Sequence, residues 1–414
     1  MQYDSSREFA EKMDASDPLK GFREKFFIPK NKIGNDVIYF AGNSLGLQPR
    51  TVRSYVEQEL EDWESMGVEG HMHAKHPWLP YHEFLTENTA MLVGALPEEV
   101  VNMNSLTVNL HLMLVSFYRP RKDRFKIMIE ANAFPSDHYA VQSHLRYHGF
   151  DPAVGLIEMK PRDGEDTIRT EDILAKIEEE GDSIALLMFA GVNYYTGQAF
   201  EMDKITEAAH GKGIVAGFDL AHAAGNLKLE LNKWNVDFAV WCSYKYLNAG
   251  PGAIAGAYVN RRHLLDMSIP KFWGWWGQDK ATRFLMHHNF QPIPTVESWQ
   301  LSNPPILQLA ALRASLDIFA EAKIDNLRTK SELMTGYLEF LLVNKSNISI
   351  ITPKNKTERS CQLSLRAAKA GKQLHSQLNE AGVICDWREP DVIRIAPVPL
   401  YNTYTDVWQF VNMI

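Results

Sequence analysis

Apolar and polar positions along this chain change period several times, and those changes divide it. Residues 5–29 mix the two in a helical manner, interrupted at Asp17-Pro18. VIYFAGNSLGLQPR (37–50) is a short apolar strand running into a turn at Gly42-Asn43, and Gly46 adds backbone freedom before Pro49. Val52, Tyr55, Val56, Leu60 and Trp63 recur at helical spacing, which predicts a helix over 51–65. GVEGHMHAKHPW (67–78) reads as a histidine-rich loop, and residues 81–95 read as another helix.

From Glu98 onward strands and helices alternate. MNSLTVNLHLMLVSF (103–117) is a loop feeding a buried helix. Residues 124–145 give a strand, a turn from Phe134 to Asp137, then a helix. VGLIEMKP is a strand, 170–181 an amphipathic helix, SIALLMFAGVNYYTGQAF a strand and turn, and MDKITEAAHGKG a helix closing on glycine. Two apolar runs follow within 213–250, then GAIAGAYVN (252–260). Such alternation implies a largely parallel sheet with right-handed crossovers. After Arg261 it stops. KFWGWWGQD and FQPIPTVESWQLSNPPI are aromatic- and proline-rich loops, and helices are expected from about Leu307 to Ala320 and from Asp325 to Leu342. The tail (NISIITP, SCQLSLRA, a helix from Lys372 to Glu380, VICDW, VIRIAPVPLY) predicts a small α+β domain with an antiparallel sheet.

Composition narrows the class of protein. A chain of 414 residues exceeds what one small core holds, which favours two domains. It is 45% hydrophobic and 23% charged, as a globular protein is, and its net charge of −8 speaks against nucleic acid as a partner. Cys242, Cys361 and Cys385 form a sparse, odd set that suggests a reducing compartment, so a cytoplasmic location is expected. The charged start, MQYDSSREFAEKMDASD, lacks the apolar region of a secretory signal. No apolar stretch is long enough to span a bilayer, so no membrane partner is expected.

The chemistry concentrates in 213–250. One apolar run ends at Asp219, with His222 three residues on. The next ends at Ser243-Tyr244-Lys245. Ligands in open α/β sheets lie beyond the carboxyl ends of the strands, so these side chains can share one pocket. A desolvated lysine forms Schiff bases, and a carboxylate can hold a pyridinium nitrogen protonated. That pairing suits pyridoxal phosphate. Each residue also has a plainer reading: Lys245 as half of an ion pair, and Asp219 as the cap of a helix from Leu220. His222 stacks near the ring or bonds Asp219. Phe134 offers an aromatic face or packs in the core, and Asp137 caps its helix or supports the ring-nitrogen site. A phosphate wants backbone N–H groups at a helix start with hydroxyls nearby, which Leu106-Thr107 after Ser105 provides; Tyr244 could also reach it. Arg394, in a strand-like run, can grip a carboxylate with two donors or form a surface ion pair. His71, His73 and His76 have loop spacing without an adjacent carboxylate or cysteine. They read as substrate contacts, and no metal site is expected.

Together, FAGNSLGLQPR, MNSLTVNLH, EANAFPSDHYA, YYTGQAF, GFDLAHAAGN, WCSYKYLNAG, SNPPI and VIRIAPVPLYN closely resemble the kynureninases, fold-type I pyridoxal-phosphate enzymes of the class V aminotransferase group. The matches run from about residue 40 to the C-terminus. The resemblance implies a PLP-transferase fold: a large α/β domain with a mainly parallel seven-stranded sheet flanked by helices, plus the small α+β C-terminal domain. It implies a large cofactor-binding domain at 36–290 and a small domain from 1–35 and 291–414. Lys245 becomes the Schiff-base lysine. Cofactor contacts are implied from Leu106, Thr107, Phe134, Pro135, Ser136, Asp137, Asp219, His222 and Tyr244, and from Trp275 and Asn303 of the other subunit of a homodimer. Arg394 would take the substrate α-carboxylate. Family members acting on the 3-hydroxylated substrate look similar at His71, Ser302 and Asn303, polar partners for a ring hydroxyl. One departure is Ala190, where relatives often have serine; any contact there must come from the backbone.

The implied reaction is hydrolytic Cβ–Cγ cleavage of L-kynurenine and 3-hydroxy-L-kynurenine to anthranilate or 3-hydroxyanthranilate plus L-alanine, in tryptophan catabolism and NAD biosynthesis. Asp219, Lys245 and Tyr244 would be the catalytic groups. An aminotransferase would use the same lysine and aspartate. A cysteine desulfurase would need a reactive cysteine on a mobile loop, and Cys242 and Cys361 lie in apolar or strand-like runs. A ligand sensor would want a basic helix-turn-helix module, which is missing. A nicotinamide dehydrogenase would want G-x-G-x-x-G, and AGPGAIAG (249–256) spaces its glycines wrongly.

Overall fold

The computed structural model describes residues 2–367 and 371–414. Seven short strands form its main sheet: β1 (Val100–Asn102), β2 (Lys126–Glu130), β3 (Leu156–Met159), β4 (Ile184–Ala190), β5 (Val215–Asp219), β6 (Phe238–Trp241) and β7 (Gly256–Val259). Their order is β1-β7-β6-β5-β4-β2-β3. All adjacent pairs are parallel except those made by β7, which runs antiparallel to both β1 and β6.

The apolar runs of these strands are continuous because both faces of the sheet are covered. Alternate side chains point to opposite faces. Met128, Leu187, Phe218 and Trp241 enter one core, while Ile127, Ile129, Met188 and Val240 enter the other. Helices Thr170–Glu180 and Met202–Gly211 supply the first face, through Ile173, Ile177 and Ile205. Leu106–Phe117 and Pro135–Tyr147 supply the second, through Leu110, Leu114 and Val141.

The C-terminal region builds a four-stranded antiparallel sheet from β8 (Ile348–Ile350), β9 (Leu363–Ala367), β10 (Asp386–Arg388) and β11 (Val392–Ile395), in the order β10-β11-β9-β8. A third core lies beneath it, against helices Ile324–Leu342 and Tyr404–Asn412. The N-terminal helix Arg7–Ser16 belongs to this core through Ala10. Asp14 fixes it by accepting the N–H groups of Tyr404 (2.6 Å) and Thr405 (3.0 Å) at the start of the last helix.

Several local expectations differ. The three-residue β1 was not legible as a strand. The loop at 67–78 contains the one-turn helices Gly67–Glu69 and Gly70–His73, and 81–95 divides into a 3-10 turn at Tyr81–Leu85 and the helix Thr86–Val93. VICDW is split: Val383–Ile384 pairs with Ile38–Tyr39, while β10 starts at Asp386. No helix follows Asp219; a tight turn closed by Ala223 and Ala224 N–H groups on the Leu220 carbonyl stands there instead. Among the described residues, no helix is long and apolar enough to cross a membrane.

Candidate active site

Four strand ends meet at one pocket: β2 at Glu130, β4 at Ala190, β5 at Asp219, and the turn after β6 at Tyr244 and Lys245. Its cavity volume is about 70 Å³, and Leu106, Thr107, Phe134, Ser136, Asp137 and His222 also line it.

Lys245 is held by its backbone. Asn248 takes a positive φ of 52° and returns its N–H to the Lys245 carbonyl at 3.0 Å; Ala249 does the same to Ser243 at 3.0 Å. From the other side, Gly46 donates to the Tyr244 carbonyl at 2.8 Å. A Cβ on Gly46 would stand 2.3 Å from the Lys245 carbonyl oxygen, so only glycine fits. The amine lies 3.1 Å from His222 Nε2 and 5.7 Å from the centre of the Phe134 ring. Burial, then the nearby Lys245 charge, pushes the His222 pKa well down, so the ring is neutral and can accept from the ammonium.

Asp219 is buried, and its Oδ1 accepts the Ala221 N–H at 2.7 Å. Burial raises its pKa, while the Ala221 N–H and Lys245 oppose the rise. Asp137 is raised much further, by burial first and then by the charges of Asp219 and Glu130. It is the member of the pair that carries the proton. Asp219 is therefore the member of the pair poised to be the anion. Burial also lifts the Tyr244 phenol, which stays protonated.

Two helices begin at the pocket's other end. Thr107 stands in the first turn of Leu106–Phe117 and Ser136 in the first turn of Pro135–Tyr147. Their hydroxyls touch at 2.8 Å. Two helix N-termini and two hydroxyls at one point make a strong anion cradle. Asn104, at φ 51°, bends the chain into the first helix, and its carbonyl accepts the Ala255 N–H at 3.0 Å.

Arg394 lies on β11, 1% exposed. It is ion-paired with Asp386 of the neighbouring β10, and Nη1 donates to the Tyr194 carbonyl at 2.8 Å. Burial lowers its pKa to about 10, still well above neutrality. Tyr194 itself lines the lysine pocket and meets Phe134 edge-on at 5.3 Å, which links the arginine to the site.

Within one chain His71, Trp275, Ser302 and Asn303 stand outside this lining, as does Pro135. His71 Nδ1 faces the Val68 carbonyl at 2.9 Å. Trp275 is 44% exposed and donates to the Arg283 carbonyl, and the Ser302 hydroxyl donates to Asn303 Oδ1 at 3.3 Å. The three loop histidines do not converge: His73 sits near Glu69 and His76 near Glu59. Among the described residues, the one group with metal-like proximity is His82, Glu83 and Glu297, and Lys280 already bonds both glutamates. Glu130, Val192, Tyr194 and Ala221 are pocket residues that the motif reading passed over, while Ala190, noted there for its backbone, does line the pocket. Glu130 carried a usable signal, since it ends the apolar run KIMIE as Asp219 ends GIVAGF.

The chain matches the family model of the Kynureninase C-terminal domain over residues 327–414. It is 57% identical to a kynureninase of Koribacter versatilis, over 99% of this chain and 97% of that protein. A kynureninase of Myxococcus xanthus is also 57% identical, over 100% and 97%. The chain belongs to the kynureninase family. The likeness reaches animals: a kynureninase of Nematostella vectensis is 49% identical over 99% of this chain and 93% of that one. A cysteine desulfurase of Escherichia coli shares the fold, with TM-score 0.77 at 18% identity over 95% and 97% of the two chains. So does a C-DES mutant with glycine covalently linked to its PLP cofactor (TM-score 0.75, 16% identity, 91% and 96%). Family membership thus confirms the resemblance read from the motifs, and the seven-stranded sheet with its smaller C-terminal domain is the expected fold.

The residues present fit pyridoxal phosphate. An amine, a carboxylate–carboxyl pair, an aromatic face and an anion cradle surround one space. Asp137 Oδ1 and His222 Nδ1 are buried polar atoms without a protein partner. The desulfurase alternative loses its nucleophile: all three cysteines are buried, and burial raises each thiol, Cys361 and Cys385 to about 12.

Proposed function

We propose that this kynureninase-family protein hydrolyses the Cβ–Cγ bond of L-kynurenine and 3-hydroxy-L-kynurenine, yielding anthranilate or 3-hydroxyanthranilate and L-alanine. The observation that carries the reading is the Lys245–His222–Asp219–Asp137 constellation facing the paired helix N-termini, in a chain 57% identical to kynureninases over its length. Pyridoxal phosphate, when bound, supplies an electron sink for charge that develops at the substrate's Cα.

The chain's residues divide the remaining work. Leu106, Thr107 and Ser136 would hold the phosphate at the helix starts, Phe134 and His222 would contact the ring, and Pro135 fixes the turn between Phe134 and Ser136. Asp219 keeps the ring nitrogen protonated, and Asp137 donates to Asp219. Lys245 would hold the cofactor through its amine, and that amine is the group placed to move the Cα proton. Tyr244, protonated beside it, relays a proton in the last steps. Arg394 exchanges Asp386 for the substrate α-carboxylate.

His71, Ser302 and Asn303 meet the substrate ring and its hydroxyl. They and Trp275 stand outside the one-chain pocket, which supports a homodimer in which Trp275 and Asn303 serve the partner's Lys245. We divide the chain into a large cofactor-binding domain at 36–290 and a small domain from 1–35 and 291–414; the packing of Ala10 with Val407 supports joining the termini. A cytoplasmic location agrees with three free, buried cysteines. The test is incubation of cofactor-loaded protein with kynurenine. Anthranilate and alanine are the expected products. Folded, loaded protein that releases no anthranilate overturns the assignment.

A further inference from the structure

β2 ends in a buried carboxyl to which the reaction above gives no role. Glu130 is 1% exposed and lines the lysine pocket. Its two oxygens both face the Ala190 N–H, at 3.3 and 3.2 Å. The next N–H, of Gly191, donates to the Asp219 carbonyl at 2.7 Å. One dipeptide therefore ties the Glu130 side chain to the Asp219 main chain. Gly191 packs so closely that a side chain would not fit: a Cβ there would stand 2.7 Å from Leu220 Cδ2 and 2.9 Å from Ala223 Cβ. Glu130 also starts the turn to Asp137, since its carbonyl accepts the Ala133 N–H at 3.2 Å.

The charges around Glu130 are mostly of its own sign. Asp219 faces it from β5 and Asp137 from the Pro135 helix. Lys245, the nearby cation, turns its amine to His222. Three buried carboxyls in one pocket do not all ionise readily, because each added charge is both desolvated and repelled. We infer that Glu130 is a positioning residue for the Asp137–Asp219 pair: kept neutral, it clamps the ends of β4 and β5 without adding negative charge beside Asp219. This inference rests on the reading of Asp219 as the ring-nitrogen partner. A neutral Glu130 leaves the cluster one negative charge, which matches one protonated ring nitrogen. An ionised Glu130 would add a second charge and tighten the site's hold on protons. Burial, opposed by the Glu130 and Ala190 N–H groups and Asn193 and aided by the Asp219 charge, pushes the Glu130 pKa up to about 8, which favours the neutral form at neutral pH.

The test uses apoenzyme and holoenzyme of the full chain, wild type and Glu130→Gln. Glutamine keeps an acceptor for the Ala190 N–H and cannot titrate. Infrared spectroscopy of wild-type apoenzyme should show a protonated-carboxyl band that fades as pH rises through about 8. In E130Q that titration should be lost, together with the alkaline change in the pH profile of kcat/KM. The alkaline change in the bound cofactor's visible spectrum should be lost with it. Glu130→Ala, lacking the acceptor, should lower the melting temperature as well. An E130Q protein whose carboxyl titration and pH profile match wild type overturns the inference. Wild-type apoenzyme without a carboxyl titrating above neutrality overturns it too, and needs no variant. Apoenzyme that titrates as stated, in protein that releases no anthranilate, supports Glu130's neutral state and contradicts the reaction instead.

Discussion

Lys245 and Asp219 were legible because each closes an apolar run, and a charge at the end of a buried strand has few places to go except a shared pocket. Lys245→Ala should abolish the visible absorbance of bound cofactor and lower kcat by about 10²–10⁴-fold, the span of a lost acid–base group, in steady-state assays. Gly46, 199 positions earlier by subtraction, is as strict a requirement of the same loop. Gly46→Ala should loosen the lysine turn and weaken cofactor retention on dialysis, because its Cβ would meet the Lys245 carbonyl. Arg394 shows where sequence reading stopped. The arginine was visible, but its ion pair with Asp386 depends on β10 lying beside β11, which no local pattern encodes. Arg394→Ala should raise KM for kynurenine about 10- to 100-fold, the worth of charge-assisted hydrogen bonds, measured against kcat to separate binding from chemistry.

At the scale of elements, the paired helix starts were only half readable. MNSLTVNLH announced one, and FPSD announced the other, yet neither segment says that the two converge on one point. The contact between Thr107 and Ser136 does. Removing both hydroxyls (Thr107→Ala with Ser136→Ala) should weaken cofactor affinity about tenfold in equilibrium dialysis, with the fold kept. Short strands escaped for a related reason. β1 has three residues, too few to establish a period, and its pairing with β7 is fixed by Ala255 and Met103 meeting across the sheet. The helix expected after Asp219 gave way to a turn that ends at Gly225, whose φ of 77° suits glycine. That turn puts the Ala221 N–H on the Asp219 carboxylate, so the side chain that would have capped a helix lines the pocket instead.

Over the whole molecule, the alternation of strands and helices predicted a parallel sheet, and the sheet is parallel except for β7. Its stability carries a pH signature remote from the lysine pocket. Burial alone would raise the Asp237 carboxyl. The hydrogen bonds from His210 (2.8 Å) and His263 (2.7 Å), the Arg262 charge and the Ala216 N–H reverse that and hold it far below the usual range. A depressed carboxyl stabilises the fold above its unfolded pKa of about 3.9, and that stability is lost as pH falls toward the folded value. Asp237→Asn should therefore lower the melting temperature at pH 7 and flatten its acid decline. Subunit sharing makes a separate prediction: Lys245→Ala mixed with Asn303→Ala should recover activity that neither has alone, if the sites lie between two chains. The central claim is hydrolysis of a carbon–carbon bond. It is tested most directly by turning over kynurenine in ¹⁸O-labelled water and weighing the products. The account predicts anthranilate with one labelled oxygen in its carboxyl group and an equal amount of alanine. Unlabelled anthranilate, or a keto acid in place of alanine, would contradict it.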